Sequence, residues 1–186
     1  DLYIGGTFGG IPGVHSPFIH RYDLDTRSYE PVPPGFGGAK PIVHKLFVDT
    51  STKPSTIYVG GKFHYTAGNG QNPAVSDSTA RYSTGFASYQ EGAGWTTFPR
   101  AQSKEDEAIL QRAADFMHFD AVHVMDFLVE HGPSGREIWI VGAFSEGKGS
   151  GQTLRGIARW DEANQRWSHP TGKGGVGREV WSIGRG

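Results

Sequence analysis

Eight histidines and no cysteine set the limits of the chemistry open to this 186-residue chain. His15 and His20 border one loop, His64 opens another, and His118 and His123 lie five apart. No His-Glu-Xaa-Xaa-His pair is present, and without cysteine there is no thiolate to complete a zinc set, so the reading is no metal and no cofactor. Asp23-Leu24-Asp25-Thr26 begins like a calcium loop but lacks the downstream Gly and Glu, and reads as a turn. The acidic run Glu105-Asp106-Glu107 suits a helix start, where it offsets the macrodipole, better than a general acid–base pair. There is no Gly-Xaa-Ser-Xaa-Gly elbow and no phosphate-cradling loop. No catalytic residue is assigned.

The elements that would carry these groups repeat. Leu2-Tyr3-Ile4-Gly5-Gly6-Thr7-Phe8 returns as Ile57-Tyr58-Val59-Gly60-Gly61-Lys62-Phe63, and again as Ile138-Trp139-Ile140-Val141-Gly142-Ala143-Phe144. Each copy is an apolar run, one or two glycines, a variable residue and Phe. Such self-similarity is the mark of a repeat architecture. Within each unit the pattern predicts further strands: 19–23, 29–32 and 41–48 in the first; 79–83, 95–98 and 122–129 in the second; 157–161, one from Trp167, and 180–183 in the third. Glycine and proline loops separate them. The second unit is longer, and over 103–117 a capping Ser103 with Ile109, Ala113, Phe116 and Met117 on one face predicts a short helical insertion.

Composition agrees with an all-β chain: 28 glycines, 11 prolines and 12% aromatic residues supply many turns and many large rings. A formal net charge of −1 provides no footprint for nucleic acid. No apolar run reaches the length of a membrane span. The chain opens at Asp1 directly in a strand and closes in another, and reads as a single domain over 1–186 that is part of a longer chain.

Arg21-Tyr22-Asp23-Leu24-Asp25-Thr26-Arg27-Ser28-Tyr29 after the first glycine-bearing strand resembles a kelch-type propeller blade: double-Gly strand, Tyr-Asp turn, then Tyr or Trp. Arg159-Trp160-Asp161-Glu162-Ala163-Asn164-Gln165-Arg166-Trp167 is a second match. The Val-Gly-Gly-Xaa-Phe form at Val59–Phe63 also resembles the repeats of secreted and cell-surface propellers, such as fungal cortical polarity-marker proteins. The resemblance implies an all-β propeller with about three four-stranded blades, a partial ring, and units starting near 2, 57 and 138. With strands lettered A to D from the centre outward, 41–48 is an A strand and 57–63 a B strand.

The long B–C and D–A loops (9–18, 33–40, 64–78, 99–121 and 145–156) then share one face, where a ligand would bind. Arg21, Arg81 and Arg159 fall at one blade position. They read either as ligand-binding cations, as in glycan-binding propellers, or as shared packing groups, the reading preferred for a feature repeated in every blade. A kelch-bladed copper-radical oxidase would need a cysteine, which is absent. The expected function is a non-catalytic binding or assembly module of an extracellular or cell-surface protein. Its partners are other blades of the same chain or a homo-oligomer, and a protein or glycan ligand. The alternatives are a glycan-active enzyme with its site at the central channel, or an oligomeric propeller lectin. In the preferred reading Phe8, Phe63, Phe144, Tyr22, Tyr82 and Trp160 are buried.

Overall fold

A computed structural model describes residues 1–9, 13, 17–32, 36–37, 41–63, 65–66, 81–82, 85–98, 123–132, 135–144, 146–147, 152–162, 164, 166–170 and 179–186. All of its regular structure is β, and every strand pairing is antiparallel. The helix predicted over 103–117 lies outside the described residues.

The first sheet is a three-stranded meander of β1 (Leu2–Gly5), β2 (Ile19–Asp23) and β3 (Ser28–Pro31). After the short β4 (Phe36–Gly37) comes a four-stranded sheet. It runs from β5 (Ile42–Asp49) through β6 (Thr56–Lys62) and, beyond the two-residue strands β7 (Tyr65–Thr66) and β8 (Arg81–Tyr82), to β9 (Phe86–Gln90) and β10 (Gly94–Thr97). The third sheet repeats it. It is formed by β11 (His123–Gly132), β12 (Gly135–Ala143), β15 (Ile157–Asp161) and β16 (Arg166–Ser168), with the small hairpin β13 (Glu146–Gly147) and β14 (Gln152–Thr153) between the second and third strands. Strands β4, β7 and β8 pair among themselves.

The units are equivalent in detail. The amide of the second glycine donates to the carbonyl of the residue that precedes the next strand of its sheet: Gly6 to Phe18 at 3.2 Å, Gly61 to Gly85 at 2.9 Å, Gly142 to Gly156 at 3.1 Å. Those acceptors all have left-handed backbone, with φ of 72°, 81° and 83°, a geometry glycine adopts freely. This equivalence corrects one expectation. The partner strand of β6 is Phe86–Gln90, not 79–83. Arg81–Tyr82 instead belongs to the small sheet with β7. The chain leaves the large sheet after Lys62, makes that extra pairing, and returns through the left-handed Gly85.

Glycine is needed where the first strand of each four-stranded sheet, here called its inner strand, crosses. A Cβ on Gly61 would lie 2.0 Å from the Ile42 carbonyl oxygen, and one on Gly142 would lie 1.8 Å from that of His123. At both places the inner strand carries a bulge, between Val43 and Lys45 in β5 and between Val124 and Asp126 in β11. The extra residue drives its backbone toward the neighbour.

The sheets pack face to face in chain order. One core joins the first two, with Ile19, Ile57, Val59, Ala87 and Phe63 buried and Tyr3 and Leu46 against them. A second core joins the next two through Tyr58, Phe86, Phe127, Ile140 and Trp160. Alternation along β6 explains this: Ile57 and Val59 point to one neighbour and Tyr58 to the other. Phe63 is 1% exposed and Phe144 and Trp160 are buried, as the repeat alignment requires. Phe8 and Tyr22 are only half-buried, which corrects the expectation for both. Tyr22 shares with Leu2 the face of the first sheet turned away from the second, and Phe8 stacks on His20 from that same face. The Tyr82 side chain lies outside what is described. Residues 180–183, expected as a strand, are not part of any sheet, although the Val180 amide reaches the Gly142 carbonyl at 3.2 Å.

Candidate functional site

The inner strands bring one residue from each of three successive elements together. Lys45 on β5, Asp126 on β11 and Ser182 in the segment 179–186 each stand two places after an equivalent valine (Val43, Val124, Val180). The Lys45 ammonium donates to Asp126 Oδ1 and sits 5.3 Å from the Phe127 ring centre. Asp126 Oδ1 also accepts the Phe127 amide at 2.8 Å. Asp126 Oδ2 accepts the Ser182 hydroxyl and the Ile183 amide, both at 3.0 Å. Burial pushes the Asp126 carboxyl up, but the bonds from Lys45, Ile183, Phe127 and Ser182 outweigh it and hold it below the ordinary carboxylate range. A carboxylate offers about four acceptor positions, and here four donors use them. Asp126 therefore ties three inner segments together and has no lone pair left to act as a general base.

At the end of the inner strands near the Gly61 and Gly142 crossings, His44 and His123 stack with ring centres 6.1 Å apart. Burial of part of the His44 ring lowers its basicity. Among the described residues no three His, Asp or Glu side chains gather into a metal-binding group.

The opposite end holds two structural clusters. Asp49, at the end of β5, accepts the Ser51 amide at 2.9 Å and hydroxyl at 2.6 Å through Oδ1, and meets His131 Nε2 at 2.7 Å through Oδ2. Burial raises the Asp49 carboxyl, but its bonds to Ser51 and His131 bring it below the ordinary value. Arg136 on β12 donates to the Tyr58 hydroxyl at 2.9 Å and to Glu162 at 3.1 Å, and the Trp160 indole donates to the same Glu162 carboxylate at 2.6 Å. The guanidinium also lies over the rings of Tyr58 and Phe98. These contacts clamp the second and third sheets together at the tight-turn end.

The groups singled out from the sequence fall differently. His15, His64, His118 and the run Glu105-Asp106-Glu107 lie outside the described residues. His20 is 1% exposed, stacked on Phe8 at 5.0 Å, with both ring nitrogens buried and without a hydrogen-bond partner; burial lowers its basicity. Asp23 Oδ1 accepts the amides of Asp25 and Thr26, each at 2.8 Å, so the stretch is a turn. Asp161 does the same for Asn164 at 3.1 Å.

The supposed ring of arginines is corrected. Arg21 pairs with Glu30, and Arg159 lies over the Trp139 ring. The equivalent position of the middle sheet is Ser88, and Arg81 belongs to another sheet. Sequence reading missed the Lys45–Asp126 tie and the Arg136 clamp. Aligning the inner strands on their valines would have placed Lys45, Asp126 and Ser182 at one position. Arg136 carries no repeat signal.

No helix among the described residues is long and apolar enough to cross a membrane. Compared with protein-family models, with curated proteins and with solved structures, the chain matches none.

Proposed function

We propose that the chain is three units of a β-propeller of the kelch-like, Val-Gly-Gly-Xaa-Phe type, acting as a non-catalytic binding or assembly module. The observation that carries this reading is the threefold set of glycine-amide bonds, with sheets stacked in chain order and inner strands side by side. Four-stranded meanders packed radially around a line of inner strands make a propeller. In such a scaffold a rigid core holds variable loops, and the loops carry recognition. The described ends of β5, β6, β11 and β12 that border the segments 64–85, 99–122 and 145–156 lie on the side of Gly61, Gly142, His44 and His123. A protein or glycan ligand binds there, in the setting of an extracellular or cell-surface protein. The fully engaged Asp126 favours binding over catalysis at the inner strands.

The test is a glycan array and a peptide-display panel, read with the wild-type chain and with a chain whose residues 67–80 are replaced by a Gly/Ser linker. Binding that disappears with the loop is the expected result. Cleavage of arrayed glycans, or binding indifferent to this loop and to substitution of His44 and His123, would overturn the reading.

A further inference from the structure

The two seams between neighbouring sheets are built from equivalent positions but are not equally closed. Ile19, Phe86 and Ile157 stand opposite Gly5, Gly60 and Val141. Tyr89 therefore corresponds to Trp160, and their partners on the outermost strands, Trp95 and Trp167, correspond as well. Trp160 and Trp167 are each 3% exposed, whereas Tyr89 and Trp95 are only half-buried.

The difference lies in what faces these rings. In the seam between the second and third sheets Phe98 meets Trp160 edge-on at 5.1 Å and Phe86 meets Trp167 at 5.8 Å, and Arg136 adds its bond to Glu162. In the seam between the first and second sheets the counterparts of Phe86 and Phe98 are Ile19 and Val32, and the counterpart of Arg136 is Ser55. Two rings and a guanidinium are replaced by smaller side chains. Phe36 of β4 meets Trp95 at 4.6 Å, yet Trp95 and Tyr89 keep part of their surface open.

The wall opposite this aromatic pair is polar. Arg21 on β2 and Glu30 on β3 are cross-strand partners joined as an ion pair, with side chains 25% and 37% exposed. The corresponding pair of the second sheet is Ser88 and Thr96. Burial and the Glu91 charge push the Tyr89 hydroxyl up, and the Arg21 charge draws it down, so the guanidinium faces this tyrosine across the seam. All four residues lie within the chain and face another sheet of the same chain.

We propose that the seam between the first and second sheets is a binding site for a neutral pyranose, with Tyr89 and Trp95 as its platform and Arg21 and Glu30 as its polar wall. A mostly aromatic lining with a few placed polar groups is the make-up of a small-ligand site. A pyranose offers an apolar face of C–H bonds to the rings. Its neighbouring hydroxyls are each donor and acceptor, and they meet a guanidinium that only donates and a carboxylate that only accepts. The wall carries no net charge, so an anion or a cation would have to part Arg21 from Glu30, whereas a sugar need not. The inference goes beyond the loop-face reading of the preceding subsection and stands on the equivalence of the two seams.

The test is saturation-transfer difference NMR with free glucose, galactose, mannose, fucose and N-acetylglucosamine, each titrated against the chain. One ring on one aromatic pair binds at about millimolar strength and washes off an array, so this measurement and the loop test read different sites. At least one of the sugars should receive saturation. Trp95→Ala and Glu30→Gln should each weaken that binding about tenfold or more. Val32→Phe, which gives this seam the ring its neighbour has in Phe98, should abolish it while the thermal melt stays cooperative; this variant and Glu30→Gln decide the matter even where Trp95→Ala fails to fold. The chain with residues 67–80 replaced by a linker should bind the sugar as wild type does. No saturation of any of the five sugars, binding unchanged in Glu30→Gln and Val32→Phe, or binding lost with the loop would each overturn the proposal. Sugar binding that survives the linker while array binding is lost with it supports both sites; the reverse removes the seam alone.

Discussion

Alanine at Gly61 or Gly142 adds one methyl group where the inner strand crosses closest. The new Cβ would stand 2.0 Å from Ile42 O or 1.8 Å from His123 O. An ordinary carbon–oxygen contact is more than an ångström longer, and the obstacle is backbone, so no rotamer change relieves it. The inner strand must move outward against the facing core. Forcing a methylene into a packed site costs about 1–3 kcal/mol, and disturbing one ladder hydrogen bond adds about 1 kcal/mol. The expected loss is about 2–4 kcal/mol, a large share of the roughly 5–15 kcal/mol of a typical domain. For a chain of this length it corresponds to a melting temperature lower by roughly 5–15 °C. Urea unfolding followed by tryptophan fluorescence measures the loss directly. The matched control is Gly9→Ala, where a Cβ meets nothing within 4 Å, and its midpoint should stay within about 0.5 kcal/mol of wild type. Gly61→Ala or Gly142→Ala melting with wild type would refute the idea that close strand crossing explains the repeated glycine.

Other consequences follow from the histidines and carboxylates whose protonation the fold perturbs. His20 and His44 are held below their ordinary value of 6.5 by burial, so the unfolded chain takes up protons first, and stability should begin to fall as the pH drops below about 6.5. Replacing His20 by Leu should flatten that part of a pH series of urea midpoints; an unchanged slope would count against its burial as a neutral ring. The carboxyls of Asp49 and Asp126 are held below 3.8. Their contribution is present above that value and lost as the pH falls through their folded values, which places a second decline at lower pH. Asp49→Asn should diminish it while lowering stability at neutral pH. Arg136→Lys should cost about 1.5–3 kcal/mol in the same urea assay, because an ammonium cannot span the Tyr58 hydroxyl and the Glu162 carboxylate as the guanidinium fork does. A lysine variant as stable as wild type would show that the clamp contributes through its alkyl packing alone.

Much of this architecture is written locally. The glycine-bearing run, its Phe and the strands that flank it recur in the chain, and period-two alternation marks which residues enter a core; hence the all-β class, the three units and the burial of Phe63, Phe144 and Trp160 follow from the sequence. Its limit shows in the second unit. Thr79–Ser83 looks like Ile19–Asp23 by residue type, with Arg and Tyr in the right order, yet Phe86–Gln90 takes the place beside β6. What decides is the left-handed turn at Gly85 and the bond from Gly61, which hold the strand at one register. Phe86-Ala87 then fits the two cores, and no residue pattern reports that selection by distant backbone. The same holds for Lys45, Asp126 and Ser182. Each is an ordinary polar residue in its own strand, and only the stacking of sheets makes them neighbours. Sequence determined the repeat because periodicity is a local property. Tertiary structure decided which strand pairs, which arginine is equivalent to which, and which faces remain open, because those depend on contacts between residues far apart in the chain.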